Sequence, residues 1–481
     1  MSKKTKGAVP MADIPFDSIP LDIAAQVFPG QNSKKWANVY RLTVCLDREI
    51  DPEKLKVALE STLDRIPTMK VRMRNGFFHN YFEVNRETCP IRHDIKNFCY
   101  RIDYRENNGY LFRVFYNGRR ISIDFYHVLC DGNGASVFIF TLAGEYLRLE
   151  GLDIATNNFV LDVSESISSE EAEDAYLRYC GKKAGASLTD PTAYHRKGTP
   201  MAAHTFNYTT VYMSFKELHQ LSKEYGVTVT ELFAAIMLDI MLKRQRLEGK
   251  VRHPVSVQIP VNLRKFFPSG TLRNFVLCVL VSIDGRKKEY TFPEILESVS
   301  SQLRRINNKD AHSAYINSTV KLSYRVLRPV PRVIKNLSIK IGFAFGAEYS
   351  TSVLISNLGA VSLPDSMKEH TESLVFYTGP GLVNGARCGV ACVGDTLAYT
   401  FSNRYRDDDI ERAFLEKLSS LGIKTRVETN RDTDFSTVEG VTSGDSDAYS
   451  DEIFIPTKKD RARLPRYTMS LGERLKRYFS F

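Results

Sequence analysis

A histidine and an aspartate four positions apart are the residues of this sequence with the clearest potential for chemistry. His127 follows the alternating apolar residues of 121–125, so its imidazole would end the apolar face of a strand. Partial burial keeps an imidazole neutral and able to accept a proton, which suits a general base. Asp131 falls in the next turn, as a second catalytic group or as a buried anchor that needs a cation. Gly132 permits backbone conformations closed to other residues. The simpler alternative is a core histidine near a turn.

Cysteine chemistry and metal binding are less favoured. Cys130 stands three residues after His127 in the turn, so its side chain would not face the same direction as the imidazole. We expect it to be a core residue. Cys388 and Cys392 would share one face of a strand, and no His or Cys pair elsewhere completes a zinc site. We therefore predict no metal. The eight cysteines are too few for a disulfide framework at this length, which favours a reducing, cytoplasmic compartment.

The elements that would position His127 can be read from local patterns. Alternation predicts a strand over 40–46, and Asp51-Pro52 is typical of a helix start. Asn117-Gly118 predicts a tight turn between strands at 110–116 and 120–127. Apolar residues at helical spacing then predict a helix over 134–149. The motif would thus lie in the loop between a strand and a helix.

The second half of the chain continues this alternation. Ser214 with Glu217, and Thr228 with Glu231, are capping-box patterns at the starts of two helices. Strands are predicted at 209–214, 255–261, 275–283, 351–357, 387–393 and 396–403, and further helices at 293–306 and 408–422. Strands and helices alternating with hairpins indicate an α/β fold with mixed sheets.

Length and charge set the domain prediction. The chain has 481 residues, 43% of them hydrophobic, and a formal net charge of +10. This length suggests two or three units, which we divide into a leader (1–20), an N-terminal lobe (21–200), a C-terminal lobe (201–425) and a tail (426–481). The mild positive charge suits anionic ligands and falls short of a nucleic-acid binder. No signal peptide or membrane span is evident.

Two segments leave alternatives open. The end of the tail places Leu471, Leu475 and Phe479 on one helical face beside basic residues. It would be a docked helix, a partner for the acidic first part of the tail, or a segment that contacts a membrane or an acidic partner. The segment 324–340 mixes basic and apolar residues around Pro329 and Pro331. It is either a solvated helix face or a basic, apolar lip at a tunnel mouth, suited to CoA phosphates or a membrane-resident acceptor.

The segment 127–132 resembles the His-x-x-x-Asp-Gly motif of the chloramphenicol acetyltransferase-like acyltransferase superfamily, which includes peptide-synthetase condensation domains and alcohol acetyltransferases. Further segments resemble that superfamily in the expected order over about 20–425. They are residues 51–74, 227–242, Ile259 to Arg264, Leu272 to Phe275 and Ile355 to Gly359. The last is similar to the Ser-Asn-x-Gly strand of the alcohol acetyltransferase branch. The tail is not covered.

The resemblance implies a two-lobed fold of mixed sheets flanked by helices, with an active-site tunnel between the lobes. His127 would deprotonate an alcohol or amine acceptor, which attacks the thioester of an acyl-CoA co-substrate. Asp131 would orient the loop through Arg264, and Gly132 matches the glycine of the motif. Ser356 or Asn357 could donate to the oxyanion, although serine and asparagine near strand ends are more often local caps.

Two departures and two alternatives accompany this resemblance. Condensation domains usually carry a second histidine where Tyr126 stands, so Tyr126 is only a possible substrate contact, and a peptide-synthetase role is disfavoured. The Asp-Phe-Gly-Trp-Gly segment of the plant enzymes is missing. The leading hypothesis is a CoA-dependent O- or N-acyltransferase with no permanently bound cofactor. The alternatives are a non-catalytic scaffold of the same fold and a condensation enzyme that takes its acyl group from a carrier protein in trans.

Overall fold

Two mixed β-sheets flanked by helices and a small antiparallel sheet, β1-β4-β3, form the computed structural model. It describes residues 18–32, 37–181, 191–201, 205–249, 251–345, 348–381 and 386–444. The first half contains β1 (Ile19–Pro20), α1 (Phe28–Gln31), β2 (Val39–Leu46), α2 (Pro52–Arg65), β3 (Val71–Asn75), β4 (Asn80–Val84), β5 (Ile91–His93), β6 (Phe112–Asn117), β7 (Arg120–Tyr126), α3 (Gly132–Leu149), α4 (Ser169–Ala172) and α5 (Ala175–Arg178).

The second half begins with β8 (Asn207–Ser214), α6 (Phe215–Glu224), α7 (Val229–Leu247), β9 (Val255–Asn262), β10 (Val276–Ile283), α8 (Phe292–Ile306), α9 (Lys309–Lys321) and α10 (Arg332–Phe345). A π-helical turn, Leu322–Leu327, follows α9 directly. The chain continues through β11 (Val353–Val361), α11 (Asp365–Lys368), β12 (Thr371–Tyr377), β13 (Ala386–Val393), β14 (Thr396–Asn403), α12 (Asp409–Ser420), β15 (Thr425–Thr429) and β16 (Val441–Ser443).

The N-terminal sheet has five strands in the order β12-β2-β7-β6-β5. The predicted turn at Asn117-Gly118 is confirmed, because β6 and β7 pair antiparallel across it and Gly118 has a positive φ of 52°. The Asp51 side chain accepts from the first amides of α2, as its position before Pro52 predicted. Helices α2 and α3 pack with the sheet into one apolar core.

The C-terminal sheet has eight strands in the order β10-β9-β11-β13-β14-β8-β15-β16. Helix α7 is buried along most of its length in the core of this lobe and begins with the capping box of Thr228 and Glu231 that its sequence predicted. At α6 only half of the predicted box forms. The Ser214 hydroxyl accepts from the Glu217 amide and itself donates to Asp395. Both sheets contain parallel and antiparallel pairs, so the mixed α/β fold is confirmed.

The boundaries between the four segments differ from those that the sequence suggested. β12, from the C-terminal half, completes the N-terminal sheet by pairing with β2. β15 begins at Thr425 and pairs with β8, so the C-terminal sheet extends beyond the expected lobe boundary at 425. The many charged residues of the tail gave no indication of this strand in the sequence, although the Val427 side chain is buried. Ile19 and Pro20 pair with β4 and do not belong to a loose leader. The remainder of the leader and the apolar face at Leu471 to Phe479 lie outside the described residues.

The two lobes meet in a small aromatic cluster, separate from the two main cores. Phe98 packs against Phe206, Tyr208 and Tyr377 with ring centroids 4.8–5.5 Å apart, in the range favoured by aromatic pairs. Within the described residues, no single helix is both long enough and apolar enough to cross a bilayer. Only the bent pair α6 and α7 reaches that threshold together.

Candidate active site

The structure places His127 directly after β7, in the turn that leads to α3. Its backbone amide donates to the carbonyl of Asn38 at 2.9 Å, which ties the turn to the chain entering β2. The ring of Phe28, at the start of α1, stacks on the imidazole with centroids 4.5 Å apart, and Tyr40 meets it edge-on at 5.1 Å. The imidazole is therefore half-buried between aromatic rings, with its orientation restricted on two sides.

The tautomer of the neutral His127 ring is set by Asn274, which lies just before β10. His127 Nδ1 lies 3.0 Å from Asn274 Oδ1, while Asn274 Nδ2 donates to Asp22 Oδ2 at 3.3 Å. Because the amide nitrogen faces a carboxylate, the amide oxygen faces the histidine and can only accept. Nδ1 therefore carries the hydrogen, and Nε2 keeps its lone pair for a proton from elsewhere. This is the tautomer that a base acting through Nε2 requires.

Electrostatics favour the neutral form of this imidazole. Burial lowers the pKa of His127 below its ordinary value, opposed by a hydrogen bond to its own backbone and by the charge of Asp131. Burial also raises the pKa of Asp22 to about 6, although Arg273, with Nε 3.6 Å from Asp22 Oδ2, opposes the rise. At neutral pH, His127 is thus an unprotonated base and Asp22 a carboxylate.

Asp131 is a structural anchor of the motif. Its Oδ1 accepts from the amides of Asn133 and Gly134 and so caps α3, while its Oδ2 accepts from Arg264 Nη1 at 2.7 Å and from the Phe275 amide at 2.8 Å. The side chain is 1% exposed. With both oxygens occupied twice, no lone pair is left for a substrate proton. Of the two roles considered for Asp131, the geometry favours the buried anchor.

Arg264 supplies the cation that this anchor needs. The sequence placed it at the matching position of the second lobe, and its guanidinium reaches Asp131 from the short 3₁₀ turn Leu263–Lys265 after β9. Its remaining donors contact Asn262 Oδ1 and the carbonyl oxygens of Thr271 and Arg273. One buried ion pair therefore joins the histidine loop of the first lobe to the second lobe.

Neighbouring atoms approach two glycines closely, and at Gly134 the neighbour is backbone. A Cβ on Gly132 would lie 2.3 Å from Cδ2 of Leu358 in β11, and a Cβ on Gly134 would lie 2.0 Å from the carbonyl oxygen of Leu272. Any side chain at Gly134 would push the 272–275 segment, which carries Asn274, away from the motif. Gly132 was expected to be important for its conformational freedom, but it is not among the glycines with positive φ, and a Cβ there would displace only the end of the Leu358 side chain.

The three weaker candidates have different outcomes. Tyr126 is fully buried, and burial together with Tyr104 raises its pKa well above the ordinary value, while Asn32 opposes the rise. These neighbours do not test its contact with substrate, which stays a prediction. Asn357 is used locally, since its Nδ2 donates to Thr230 and its Oδ1 accepts from the Gly359 amide. The backbone of Ser356 pairs with β13, but its side-chain hydroxyl has no hydrogen-bond partner within the described residues.

Sequence reasoning missed Asn274, Asp22 and Phe28. Asn274 lay inside a segment noted for its resemblance, Leu272 to Phe275, but no role was given to it. Asp22 stands only two residues beyond the expected leader. Its burial, at 1% exposed, follows from contacts with residues some 250 positions away. No local pattern in the sequence marks such a pair.

Core packing is confirmed for Cys130, Cys388 and Cys392, although Cys278 is exposed. Cys388 and Cys392 are buried in β13, and burial raises the pKa of Cys392 to about 12. Burial likewise raises the pKa of the Cys130 thiol, so it is not a reactive thiolate. Within the described ranges, no group of three His, Cys, Asp or Glu side chains is arranged to hold a metal ion.

Comparison with known proteins identifies the fold. No protein-family model and no curated protein matches the chain. Among solved structures, the nonribosomal peptide synthetase FmoA3 matches with a TM-score of 0.56 and 16% identity over 88% of this chain and 44% of its own. The present chain thus spans less than half of that synthetase.

Two further structures match over nearly their whole length. *F. graminearum* TRI101, complexed with ethyl coenzyme A, has a TM-score of 0.57 and 12% identity over 85% of this chain and 99% of its own. The starter condensation domain of rhizomide synthetase RzmA was solved in complex with C8-CoA and Leu-SNAC. It has a TM-score of 0.51 and 13% identity over 86% of this chain and 96% of its own. The chain therefore has the condensation-domain and TRI101 fold, as the motif resemblance implied.

Proposed function

We propose that this chain is an acyltransferase that moves an acyl group from an acyl-CoA thioester to an alcohol or amine, with His127 as general base. The observation that carries the proposal is the state of His127, whose Nδ1–H is bonded to Asn274 and whose Nε2 has no hydrogen-bond partner among the described residues. Support comes from the fold, since two neighbours with this fold were solved with coenzyme A or an acyl-CoA bound.

The reaction would proceed in two steps. His127 Nε2 takes the proton of the acceptor hydroxyl while its oxygen attacks the thioester carbonyl carbon. The tetrahedral intermediate then collapses, the carbon–sulfur bond breaks, and the imidazolium returns the proton to the leaving thiolate. The products are an ester, or an amide from an amine, and the free thiol of CoA. The Ser356 hydroxyl is the proposed donor to the oxyanion, because β11 packs directly on Gly132 through Leu358.

The nature of the acceptor is part of the proposal. Tyr126 stands where condensation domains usually have their first histidine and is buried, which favours a simple alcohol or lipid acceptor of the alcohol acetyltransferase type. TRI101 of *F. sporotrichioides* was solved with coenzyme A and T-2, so this fold can take a bulky acceptor beside CoA. The tunnel between the lobes and a cytoplasmic location also remain proposals.

The test is product formation by the purified full chain. Acetyl-CoA and longer acyl-CoA thioesters are offered with a panel of alcohols and amines, and the ester or amide is identified by mass spectrometry together with thiol release. We expect an ester with at least one alcohol. Turnover only with carrier-protein thioesters would contradict CoA as donor, and no turnover with either donor would favour a non-catalytic scaffold.

A further inference from the structure

The surface of the helical segment after α9 carries an unusual concentration of exposed apolar side chains. Each is more than half exposed, although side chains of this kind are normally buried. The residues, called here the apolar patch, are Phe77, Leu322, Val326, Val333, Ile334 and Leu337. Exposed apolar residues that occur singly need no explanation, but a cluster on neighbouring elements marks an interaction surface.

The apolar patch is held together by hydrogen bonds to backbone carbonyl groups. The Arg332 amide donates to the Phe77 carbonyl at 3.0 Å, and the Arg332 guanidinium donates to the Gly76 carbonyl at 3.1 Å. Lys335 Nζ donates to the Phe78 carbonyl at 3.1 Å. These bonds fix the tip of the β3–β4 hairpin against the start of α10, so the patch is formed before any partner arrives.

The helical segment that carries most of the apolar patch has charges of one sign. Residues 321–340 include six basic and no acidic residues. Arg325 and Arg328 are exposed, and neither forms an ion pair with a carboxylate within the described residues. Arg328 lies over the ring of Tyr324 at 5.1 Å, which positions its charge beside the apolar side chains. The complementary partner is therefore apolar and anionic.

The opposite side of α10 faces the candidate active site. Ile339 packs on α1, where a Cβ on Gly30 would lie 3.0 Å from the Ile339 Cβ. The first residue of α1, Phe28, stacks on His127. Two helices thus separate the apolar patch from the histidine.

We infer that the apolar patch docks this protein onto an anionic lipid bilayer. The apolar side chains would enter the boundary between headgroups and acyl chains, and Arg325 and Arg328 would meet the lipid phosphates. An acidic protein would satisfy the arginines, but six apolar side chains on a helix and a hairpin tip, without acidic residues between them, match a bilayer interface better. This inference does not depend on the proposed acyl transfer.

Vesicle flotation of the full chain tests this docking. We expect the wild type to float with vesicles of phosphatidylcholine mixed with phosphatidylglycerol and much less with phosphatidylcholine alone. The double variant Val333→Asp, Leu337→Asp should lose at least about tenfold in binding. Arg325→Ala with Arg328→Ala should lose about thirtyfold, since each arginine near the surface contributes about fivefold. The matched control is Leu247→Asp, because Leu247 is 83% exposed at the end of α7, outside the patch.

Circular dichroism and the thermal unfolding midpoint establish that each variant is folded, as expected for exposed positions. The inference is overturned if the wild type does not float with the anionic vesicles. It is equally overturned if the Val333→Asp, Leu337→Asp variant floats as well as the wild type, because another part of the chain would then hold the membrane. A loss of the same size in Leu247→Asp would also refute it. Patch-dependent self-association without flotation would indicate a protein partner instead.

Discussion

The hydrogen bonds from His127 through Asn274 to Asp22 lead to a prediction. It distinguishes a role of Asn274 in positioning the imidazole from a purely structural one. Replacing Asn274 with Ala removes the acceptor that holds the hydrogen on Nδ1. A hydrogen bond of this kind contributes about 1 to 1.5 kcal/mol, so kcat should fall about tenfold. The loss of the correct tautomer lowers kcat further. The total loss should still stay below the hundred- to ten-thousandfold that general base catalysis supplies.

Charge changes at the same positions should move the pH profile in opposite directions. The contacts of 3.0 Å to His127 Nδ1 and 3.3 Å to Asp22 Oδ2 span the amide of Asn274. They place the Asp22 carboxylate roughly 7 Å from His127, where an effective dielectric constant of about 20 gives about 2.4 kcal/mol. Removing this negative charge in Asp22→Asn destabilises the imidazolium. The acid limb of kcat/KM should therefore move to lower pH, by less than about 1.7 pH units, because Asp22, with a pKa of about 6, is itself partly protonated in that range.

The double variant Asp22→Asn, Asn274→Asp exchanges the amide and the carboxylate. Both hydrogen bonds can re-form, but the negative charge now contacts Nδ1 directly and stabilises the imidazolium. The pKa of His127 should rise, and the acid limb should move to higher pH than in the wild type. The assay is thiol release from the best acyl-CoA across a pH series. The matched control is Asn357→Ala, since Asn357 contacts Thr230 and not His127.

A structural role alone would lower activity or stability without moving the limb in either direction. The reasoning is refuted if Asp22→Asn and the double variant shift the limb in the same direction, or if neither shifts it relative to Asn357→Ala.

Two further predictions concern the contacts between the lobes. Gly134→Ala should lower the free energy of unfolding by about 1 to 3 kcal/mol, because its Cβ would overlap the Leu272 carbonyl. Gly342→Ala, in open space within α10, should be neutral or stabilising. Urea unfolding of both variants checks this, and equal midpoints would contradict the close approach. Arg264→Ala should cost about 3 to 5 kcal/mol by leaving the buried Asp131 charge unpaired, and adding Asp131→Asn should recover part of that loss. Additive losses in a double-mutant cycle would show that the two side chains are not coupled.

Local patterns predicted the elements around the histidine well. The turn at Asn117-Gly118 and the cap at Asp51 are short-range signals, and each specifies one geometry that the structure reproduces. The position of Arg264 followed from the resemblance, because no local pattern says that it meets a residue 133 positions earlier. The mixed fold could be read from alternation, but strand order could not.

What the sequence could not supply depends on long-range packing. β12 joins the first sheet although it belongs to the second half of the chain, and its composition is like that of any buried strand. Asn274 and Asp22 acquire their role only when β10 brings the segment before it against the start of the chain. Tyr126 is next to His127 in the sequence, but alternation along an extended strand puts its side chain on the other face, so its role as a substrate contact stays a prediction.

The central claim is that His127 is the base for acyl transfer from CoA. Its most direct test is thiol release by His127→Ala against His219→Ala, a control at an exposed histidine of α6 that stacks on Phe215. With the acceptor and acyl-CoA that the wild type uses best, His127→Ala should lose at least about a hundredfold in kcat, while His219→Ala keeps its activity and both remain folded. Undiminished turnover by a folded His127→Ala protein would contradict the account.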